Sequence, residues 1–231
     1  IQLPPATNNK LPIVYGSAFI SGCVTDAKIS EDQTTMWYVL ALADCTSGAY
    51  SFGDIYYGGK KITFDIGDPS KVVSLTTNDI AQTVDTKVNG HMRLWLFTNG
   101  SSSGVNTAGQ TAIQILNDSR IPVDQRVAAT YLMSNTAFMI LSLDYNSDAG
   151  TTGLGTLNVQ VINTLKEPGS CIQDYMLNNR YGCNLPIEAI DTDSIIALDA
   201  YSNELITYTP EGGGSATQNR YEFNGPVNTG N

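Results

Sequence analysis

The sequence predicts an α+β protein that is mainly β, in which antiparallel or mixed, barrel-like sheets carry two short helices packed on one side. Three observations support this class. Residues 35–43 (TMWYVLALA) form a continuous apolar run, which is typical of a central strand covered on both faces. Gly58-Gly59 stands between two β-prone runs, as in a two-residue hairpin. Residues 170–205 contain two successive helix signatures.

Composition limits the classes of partner. The 231 residues are 42% hydrophobic, which suits one large or two small domains with a substantial core. A net charge of -10 argues against a nucleic-acid partner, and no apolar run approaches the roughly 20 residues of a membrane span. The four cysteines form no C-x-x-C pair and there is one histidine, so we expect reduced thiols and no zinc site. Whether Cys171 and Cys183 pair stays open.

The chain divides into three predicted parts. Residues 1–11 are rich in Pro and Asn and are expected to form an extended arm. Residues 12–209 are expected to form one β-rich domain whose helical subregion covers 168–205. Residues 210–231 are predicted to be a Gly-rich linker and the first strand leading to a downstream domain. Because the chain starts with Ile1 rather than Met, we expect it to be a piece of a longer polypeptide.

Apolar runs and alternation place the strands of the domain. The predicted strands cover residues 18–24, 35–43, 54–57, 60–64, 91–97, 136–145 and 157–162. Gly58-Gly59 should pair the third strand with the fourth, and the last strand should pair with the one before it. Residues 65–90 are polar and are expected to be irregular. Apolar residues at helical spacing predict a short helix near 108–116.

Two helices are predicted near the end of the domain. Ser170 followed by Gln173 has the spacing of a capping box, which would start a helix at Ser170. Arg180 would lie in its last turn, and Gly182 would end it with a positive φ. Asp191 would cap the second helix. Its inward stripe would be Ile195, Leu198 and Leu205.

Motifs with catalytic potential are better explained as loops. Gly100–Gly104 fits G-x-S-x-G, but the single histidine, His91, precedes it, whereas the hydrolase order needs the histidine last. Asp144-x-Asn146-x-Asp148 opens like a calcium loop, but Ala149 and Gly155 occupy positions that need Gly and Glu. We therefore predict no catalytic, cofactor-binding or metal-binding residues and no enzyme activity.

Several segments resemble siphophage tail-tip proteins of the lambda host-specificity (tip attachment) type. Pro12 to Gly16 is similar to their P-x-V-Y-G opening, and residues 55–62 are similar to their hairpin. Residues 174–182 resemble D-x-L-x-x-x-R-Y-G, although Ser202 and Asn203 depart from the Cys and Asp that usually end the following helix. Residues 220–225 resemble R-Y-x-x-N-G. The matched order covers about residues 11–208.

The resemblance implies a structural virion protein, the central hub or baseplate component of a tail tip. Such hubs are homotrimers that close the tail tube, contact tail-tube and distal tail proteins, and anchor a central fibre for host attachment. The implied location is the tail tip of a virion assembled in the host cytoplasm. The residues expected to carry the structural motif are Tyr15, Gly16, Gly58, Gly59, Ser170, Arg180, Tyr181, Gly182 and Asp191.

Two other hypotheses stay open from the sequence. One is a surface carbohydrate-binding β-domain without catalysis. An exposed Trp37 or Trp95 beside a groove would favour it, and burial of both would count against it. The other is a hydrolase, which would need two acids facing each other across a cleft.

Overall fold

The computed structural model describes residues 10–228, so the predicted arm at 1–11 lies almost wholly outside the described residues. The strands are β1 (Ile13–Tyr15), β2 (Ser17–Ile20), β3 (Cys23–Ile29), β4 (Thr35–Asp44), β5 (Tyr50–Tyr57), β6 (Lys60–Phe64), β7 (Val72–Thr76), β8 (Val84–Asp85), β9 (Met92–Phe97), β10 (Thr136–Asp144), β11 (Leu157–Asn163), β12 (Leu205–Tyr208), β13 (Ala216–Asn219) and β14 (Gly225–Val227). The helices are α1 (Ala112–Leu116), α2 (Pro168–Leu177) and α3 (Thr192–Ser202).

The first large sheet is built around β4. Its strand order is β14-β1-β4-β10-β9, and β3 also pairs with β4. β4 is buried along its length except for the half-buried Met36 and Asp44. The prediction of a central strand covered on both faces is therefore confirmed.

The second sheet has the order β2-β11-β5-β6-β7-β8 and packs against the first. Alternate residues of β4 point to opposite faces, so Tyr38, Leu40 and Leu42 enter the core shared by the two sheets. Trp37 and Val39 point the other way, into a second core that α1 covers. β4 thus contributes side chains to two hydrophobic cores, one on each of its faces.

The fold is α+β and mainly β, as predicted. Neither large sheet closes into a barrel among the described residues, so the barrel-like detail is not confirmed. The chain instead passes from one open sheet to the other at Gly16, again at residues 21–22, and through longer connections such as residues 145–156.

Three strand predictions are corrected. The run 18–24 is interrupted at Gly22, whose φ is +76°, so β2 and β3 lie in different sheets. Residues 65–90 contain β7 and β8. Val72 and Leu75 of β7 are buried in the core shared by the two sheets, but two apolar residues in a polar segment make no recognisable strand pattern. β11 pairs with β2 and β5 rather than with β10, because β11 lies in the second sheet and β10 lies in the first.

The Gly58-Gly59 hairpin is confirmed. Tyr57 pairs with Lys60 and Tyr56 pairs with Lys61. The two glycines have φ values of 57° and 78°, the left-handed conformations that a two-residue primed turn requires.

The second helix begins as predicted, and its inward stripe is only partly correct. The Asp191 side chain accepts a hydrogen bond from the Ser194 N–H, so Asp191 is the N-cap of α3. Ile195 and Leu198 are half-buried, but Leu205 lies beyond the helix in β12 and is 70% exposed. The helix ends at Ser202, before a fourth turn could bring Leu205 to the inner face.

The segment 210–231, predicted to be a Gly-rich linker and the first strand leading to a downstream domain, contains β13 and β14. β12 and β13 pair with each other across the glycine run, and β14 pairs antiparallel with β1, Ile13 opposite Val227. Residues 225–227 thus add a strand to the first sheet of the domain.

Candidate functional site: the Asp174 corner

Several of the residues that carry the resemblance meet, together with Asp44, at one corner of the fold, which we name the Asp174 corner. It consists of Tyr15, Asp44, Asp174, Arg180 and Tyr181. β1 contributes the first residue, the end of β4 the second, and α2 with the loop after it the remaining three. Because the segments are far apart in sequence, their side chains can meet here only in the folded chain.

The start of α2 is held by α3 and not by a capping box. Pro168 is the first helical residue and Glu167 the N-cap, with no side-chain cap bond of its own. The Asp199 carboxylate of α3 accepts from the Gly169 N–H at 2.7 Å and from the Ser170 N–H at 3.0 Å. The Ser170 hydroxyl donates to the same carboxylate at 2.5 Å. The predicted Ser170 cap is wrong, since proline at the first position starts the helix two residues earlier.

Asp174 is the hub of the corner. Its Oδ2 accepts hydrogen bonds from the hydroxyls of Tyr15 and Tyr181, each at 2.7 Å. Its Oδ1 accepts from the Ser47 hydroxyl at 2.9 Å. The carboxylate thereby ties α2 to β1, to the loop after β4 and to its own following turn.

Burial and the neighbouring carboxylate keep both phenols protonated. Burial raises the pKa of Tyr15 well above its ordinary value, and the hydrogen bond to Asp174 raises it further. The same two causes, in the same order, raise the pKa of Tyr181. Both residues are therefore protonated donors to Asp174 near neutral pH.

Arg180 joins the corner to the end of β4. Its Nη2 lies 2.6 Å from the Cys45 carbonyl oxygen and 3.0 Å from Asp44 Oδ1. Its guanidinium carbon lies 5.5 Å from the centre of the Tyr181 ring. Burial raises the pKa of Asp44, and the Arg180 charge offsets part of this effect. The predicted position of Arg180 in the last helical turn is wrong, because α2 already ends at Leu177.

Gly182 is required for space and not for a left-handed conformation. Its φ lies outside the left-handed region, so the predicted positive φ is wrong, and the left-handed residue of this turn is Asn184 at 53°. A Cβ at position 182 would overlap the Tyr175 carbonyl oxygen. The Cys183 N–H donates to that same carbonyl at 3.0 Å, so the chain passes too close to α2 for any side chain.

Gly16 forms the passage from the first sheet to the second. Its φ is +63°, and it separates β1 from β2. A Cβ there would overlap Asn224, whose Oδ1 accepts from the Ser17 N–H at 2.9 Å. The Phe223 ring packs edge-on against Tyr15, with centroids 5.8 Å apart. The residues resembling R-Y-x-x-N-G thus contact the residues resembling P-x-V-Y-G.

Two clefts flank the corner. One encloses about 570 Å³ and is lined by Asp174, Ser47 and amide side chains including Gln173 and Asn178. The other encloses about 510 Å³ and is lined by Asp44 and Arg180 among others. Among the described residues each cleft has a single carboxylate in its lining, so neither shows there the facing pair of acids that glycoside hydrolysis uses.

The residues of the G-x-S-x-G and calcium-like motifs form hydrogen bonds that stabilise their loops. His91 Nε2 lies 3.2 Å from Asn146 Nδ2, and the Ser103 hydroxyl donates to the Gly100 carbonyl at 2.8 Å. Asn146 Oδ1 accepts from the N–H groups of Asp148 and Ala149, which makes the calcium-like segment an Asx turn. Within residues 10–228, no group of three or more His, Cys, Asp or Glu side chains has an arrangement suited to a metal ion.

Both tryptophans and two of the four cysteines, Cys45 and Cys171, are buried. Trp37 is 1% exposed and Trp95 is 6% exposed. The burial of both counts against the carbohydrate-binding hypothesis in the form stated above. All four cysteines are free thiols, including Cys171 and Cys183.

Sequence reasoning found most of the corner but missed its connections. Tyr15, Arg180 and Tyr181 were predicted as structural, and the structure brings them together. Ser170 lies at the other end of α2, and Gly58, Gly59 and Asp191 lie outside the corner. Asp174 entered only as a motif letter, and the part played by Asp199 was missed. The sequence shows an acidic residue inside each helix, but no local pattern shows which hydrogen-bond donors that residue reaches in the fold.

In the described part of the chain, none of the helices has the length and apolar character needed to cross a membrane. No protein-family model and no curated protein matches this chain in sequence.

Proposed function

We propose that this chain is a structural module of a phage tail tip, whose role is to hold a fixed shape within a larger assembly. The supporting observation is the convergence at the Asp174 corner. Tyr15 and Tyr181 belong to two segments that separately resemble tail-tip motifs, and both donate to Asp174, at 2.7 Å each. A shared contact between independently resembling segments is what a common fold would require.

The chemistry of the corner also supports a scaffold. Its charged groups are paired internally, Arg180 with Asp44 and Asp174 with three hydroxyl donors. The partners of Asp174 are two buried phenols and one serine hydroxyl, so donors from three segments hold the carboxylate in place, and this favours a rigid scaffold.

In this proposal the partners are other copies of the chain and neighbouring tail proteins. The full polypeptide forms a homotrimer that closes the tail tube and anchors a central fibre. Light scattering on residues 1–231 and on the polypeptide extended downstream tests the association. We expect a monomer or weak oligomer for the shorter chain and a trimer for the longer one. A stable monomer of the longer chain would count against the hub.

A phage carrying substitutions tests the scaffold role more directly. Leu40→Ala removes core volume and should reduce the number of complete particles, whereas Ser102→Ala and His91→Ala should leave particle number and plaque count nearly unchanged. Particle counts and plaque counts on the same stocks separate assembly from infection. Complete particles that fail to infect, produced by Ser102→Ala or His91→Ala, would reveal an active site and overturn the scaffold.

A further inference from the structure

A small polar cleft lies on the face of the first sheet that α1 covers. It encloses about 270 Å³ and shares no described lining residue with the clefts beside the Asp174 corner. Trp37 of β4 and Trp95 of β9 both line it. Among the described residues, the charged side chains of its lining are Arg93, Asp118 and Arg120. The scaffold role proposed above makes no use of this cleft.

The register of the sheet explains why a hollow forms here. Ser142 of β10 lies opposite Trp37 of β4 on one side and opposite Arg93 of β9 on the other. Neighbouring strands are about 4.8 Å apart, so the small Ser142 separates two large side chains whose Cα atoms are about 10 Å apart. Trp95 follows Arg93 by two residues on β9 and therefore points to the same face. Large side chains on both sides of a serine leave space above it.

Three deeply buried side chains on this face keep an unpaired polar group. Trp37, Ser142 and Trp95 are 1%, 4% and 6% exposed. Neither indole N–H and not the Ser142 hydroxyl has a hydrogen-bond partner among the described residues. None of the three groups is fully enclosed by protein, so each one keeps contact with solvent. Buried polar groups are normally hydrogen-bonded, so these three leave room for a ligand that pairs with them.

Arg93 adds the unused side of a guanidinium group. Its Nη1 donates to Asp68 Oδ2 at 2.7 Å and to the Ser70 hydroxyl at 3.1 Å. Its Nε and Nη2 form no hydrogen bond with another described residue. These two nitrogens are one side of a planar fork, whose spacing matches the two oxygens of a carboxylate.

Arg120 closes the cleft to a stacked ring. It donates to Asp118 from Nε at 3.0 Å and from Nη2 at 3.3 Å. Its guanidinium carbon lies 4.9 Å from the centre of the Trp37 ring and so covers one face of that ring. The polar edge of the indole, rather than this face, is therefore the part of Trp37 that a ligand reaches.

We propose that this cleft binds a small organic molecule through a carboxylate, which pairs with the Nε and Nη2 atoms of Arg93 and accepts from the indole N–H groups. Two guanidinium groups and one carboxylate give the described lining a charge of +1, in a protein whose net charge is -10. The surrounding acidic surface repels anions in general, so the cleft is a local exception with free donors. This binding is separate from the tail-tip proposal and does not depend on it.

Tryptophan fluorescence measures the binding directly, because the two tryptophans of the chain both line the cleft. Lactate and glucuronate are the carboxylate probes, and glucose is the neutral match of glucuronate. We expect a saturable change in emission with the carboxylates, with a dissociation constant on the order of 1 mM for ligands this small, and none with glucose at equal ionic strength. No saturable change with either carboxylate, or an equal response to glucose, would overturn the proposal.

Matched arginine variants locate the carboxylate. Arg93→Gln removes the fork and should weaken glucuronate binding by about tenfold or more. Arg93→Lys keeps the charge without the fork and should bind with an intermediate affinity. Arg220→Gln removes an arginine that is paired with Glu204 outside the cleft, and it should leave binding unchanged. Unweakened binding to Arg93→Gln would show that the anion lies elsewhere.

The indole protons test the site without any substitution. The two tryptophans give two indole N–H signals in a proton–nitrogen correlation spectrum. A hydrogen bond to a charged oxygen deshields the proton, so glucuronate should move both signals downfield with the dissociation constant found by fluorescence. Signals that stay in place while the emission changes would put the ligand outside the cleft and refute the proposal.

Discussion

At the scale of single residues, the Asp174 corner shows how much depends on one carboxylate. Asp174 accepts from two buried phenols and one serine, and these donors come from three separate segments. A buried donor that loses its acceptor keeps the cost of its own desolvation. The contribution of Asp174 should therefore exceed that of any one of its donors.

Replacing Asp174 tests this inequality. Asp174→Ala leaves both phenols without their acceptor and should lower the free energy of unfolding by about 2–4 kcal/mol. Ser47→Ala removes a donor near the surface and should cost less than about 1 kcal/mol. Urea unfolding of the two variants and the unchanged protein measures both. Similar costs for the two substitutions would contradict the central role of Asp174.

The buried phenols also predict a loss of stability in alkali. Burial raises the pKa of Tyr50 and of Tyr131 to about 12 in the folded protein. Their unfolded values are near 10, so between about pH 10 and pH 12 the unfolded chain releases protons that the folded chain retains. Stability should be fully present below pH 10 and should fall by roughly 1.4 kcal/mol per pH unit for each such tyrosine. Urea titrations across this range check the slope, and Tyr131→Phe should reduce it; a flat profile would contradict the raised values.

At the scale of elements, the two helices depend on each other in a way that local patterns do not show. Asp191 was found from sequence because its partner, Ser194, is three residues away. The cap of α2 was missed because its acceptor, Asp199, lies in α3 and is reached only after the helices pack. In the same way, Gly58-Gly59 was predictable from two adjacent residues, while Gly182 was misread because the constraint is the carbonyl of Tyr175.

Because Asp199 of α3 caps α2, Asp199→Ala should destabilise the protein more than Ser170→Ala does. A local capping box at Ser170 would give the opposite ranking. Asp199→Ala removes the acceptor of two backbone N–H groups and one hydroxyl, and it should cost about 1–2 kcal/mol. Ser170→Ala keeps both backbone bonds and should cost less than about 1 kcal/mol. Thermal unfolding of the two variants decides between the two arrangements. A larger loss for Ser170→Ala would restore the local cap.

At the scale of the whole molecule, β4 is shared by two hydrophobic cores on its opposite faces. The sequence predicted this strand because every position from Met36 to Ala43 is apolar. It could not say that the second sheet covers one face and α1 the other. It likewise could not place β11, because strand alternation shows an inner face without showing which sheet lies behind it. Pairing across long sequence separations is decided by how the faces pack together.

Separate cores should respond separately to loss of volume. Trp37→Ala empties space beside α1, and Leu40→Ala empties space between the sheets. Each should cost about 2–5 kcal/mol, and because the cavities lie on opposite faces, the double variant should approach the sum within about 0.5 kcal/mol. Denaturant unfolding of the three variants tests this. A double variant far from the sum would show that the two cores are coupled through β4.

The pairing of β1 with β14 has a consequence for the order in which the chain acquires its structure. Ile13 lies opposite Val227, so two strands at nearly opposite ends of the described chain are neighbours in one sheet. A ribosome has to synthesise residues 16–224 after β1 before that contact can close, and long closures of this kind slow folding. Until then Tyr15 and Gly16 lack Phe223 and Asn224 beside them, and the outer edge of β1 is open. A nascent chain therefore carries an unpaired edge on β1 while residues 16–224 are being made, and the arrival of β14 closes this edge.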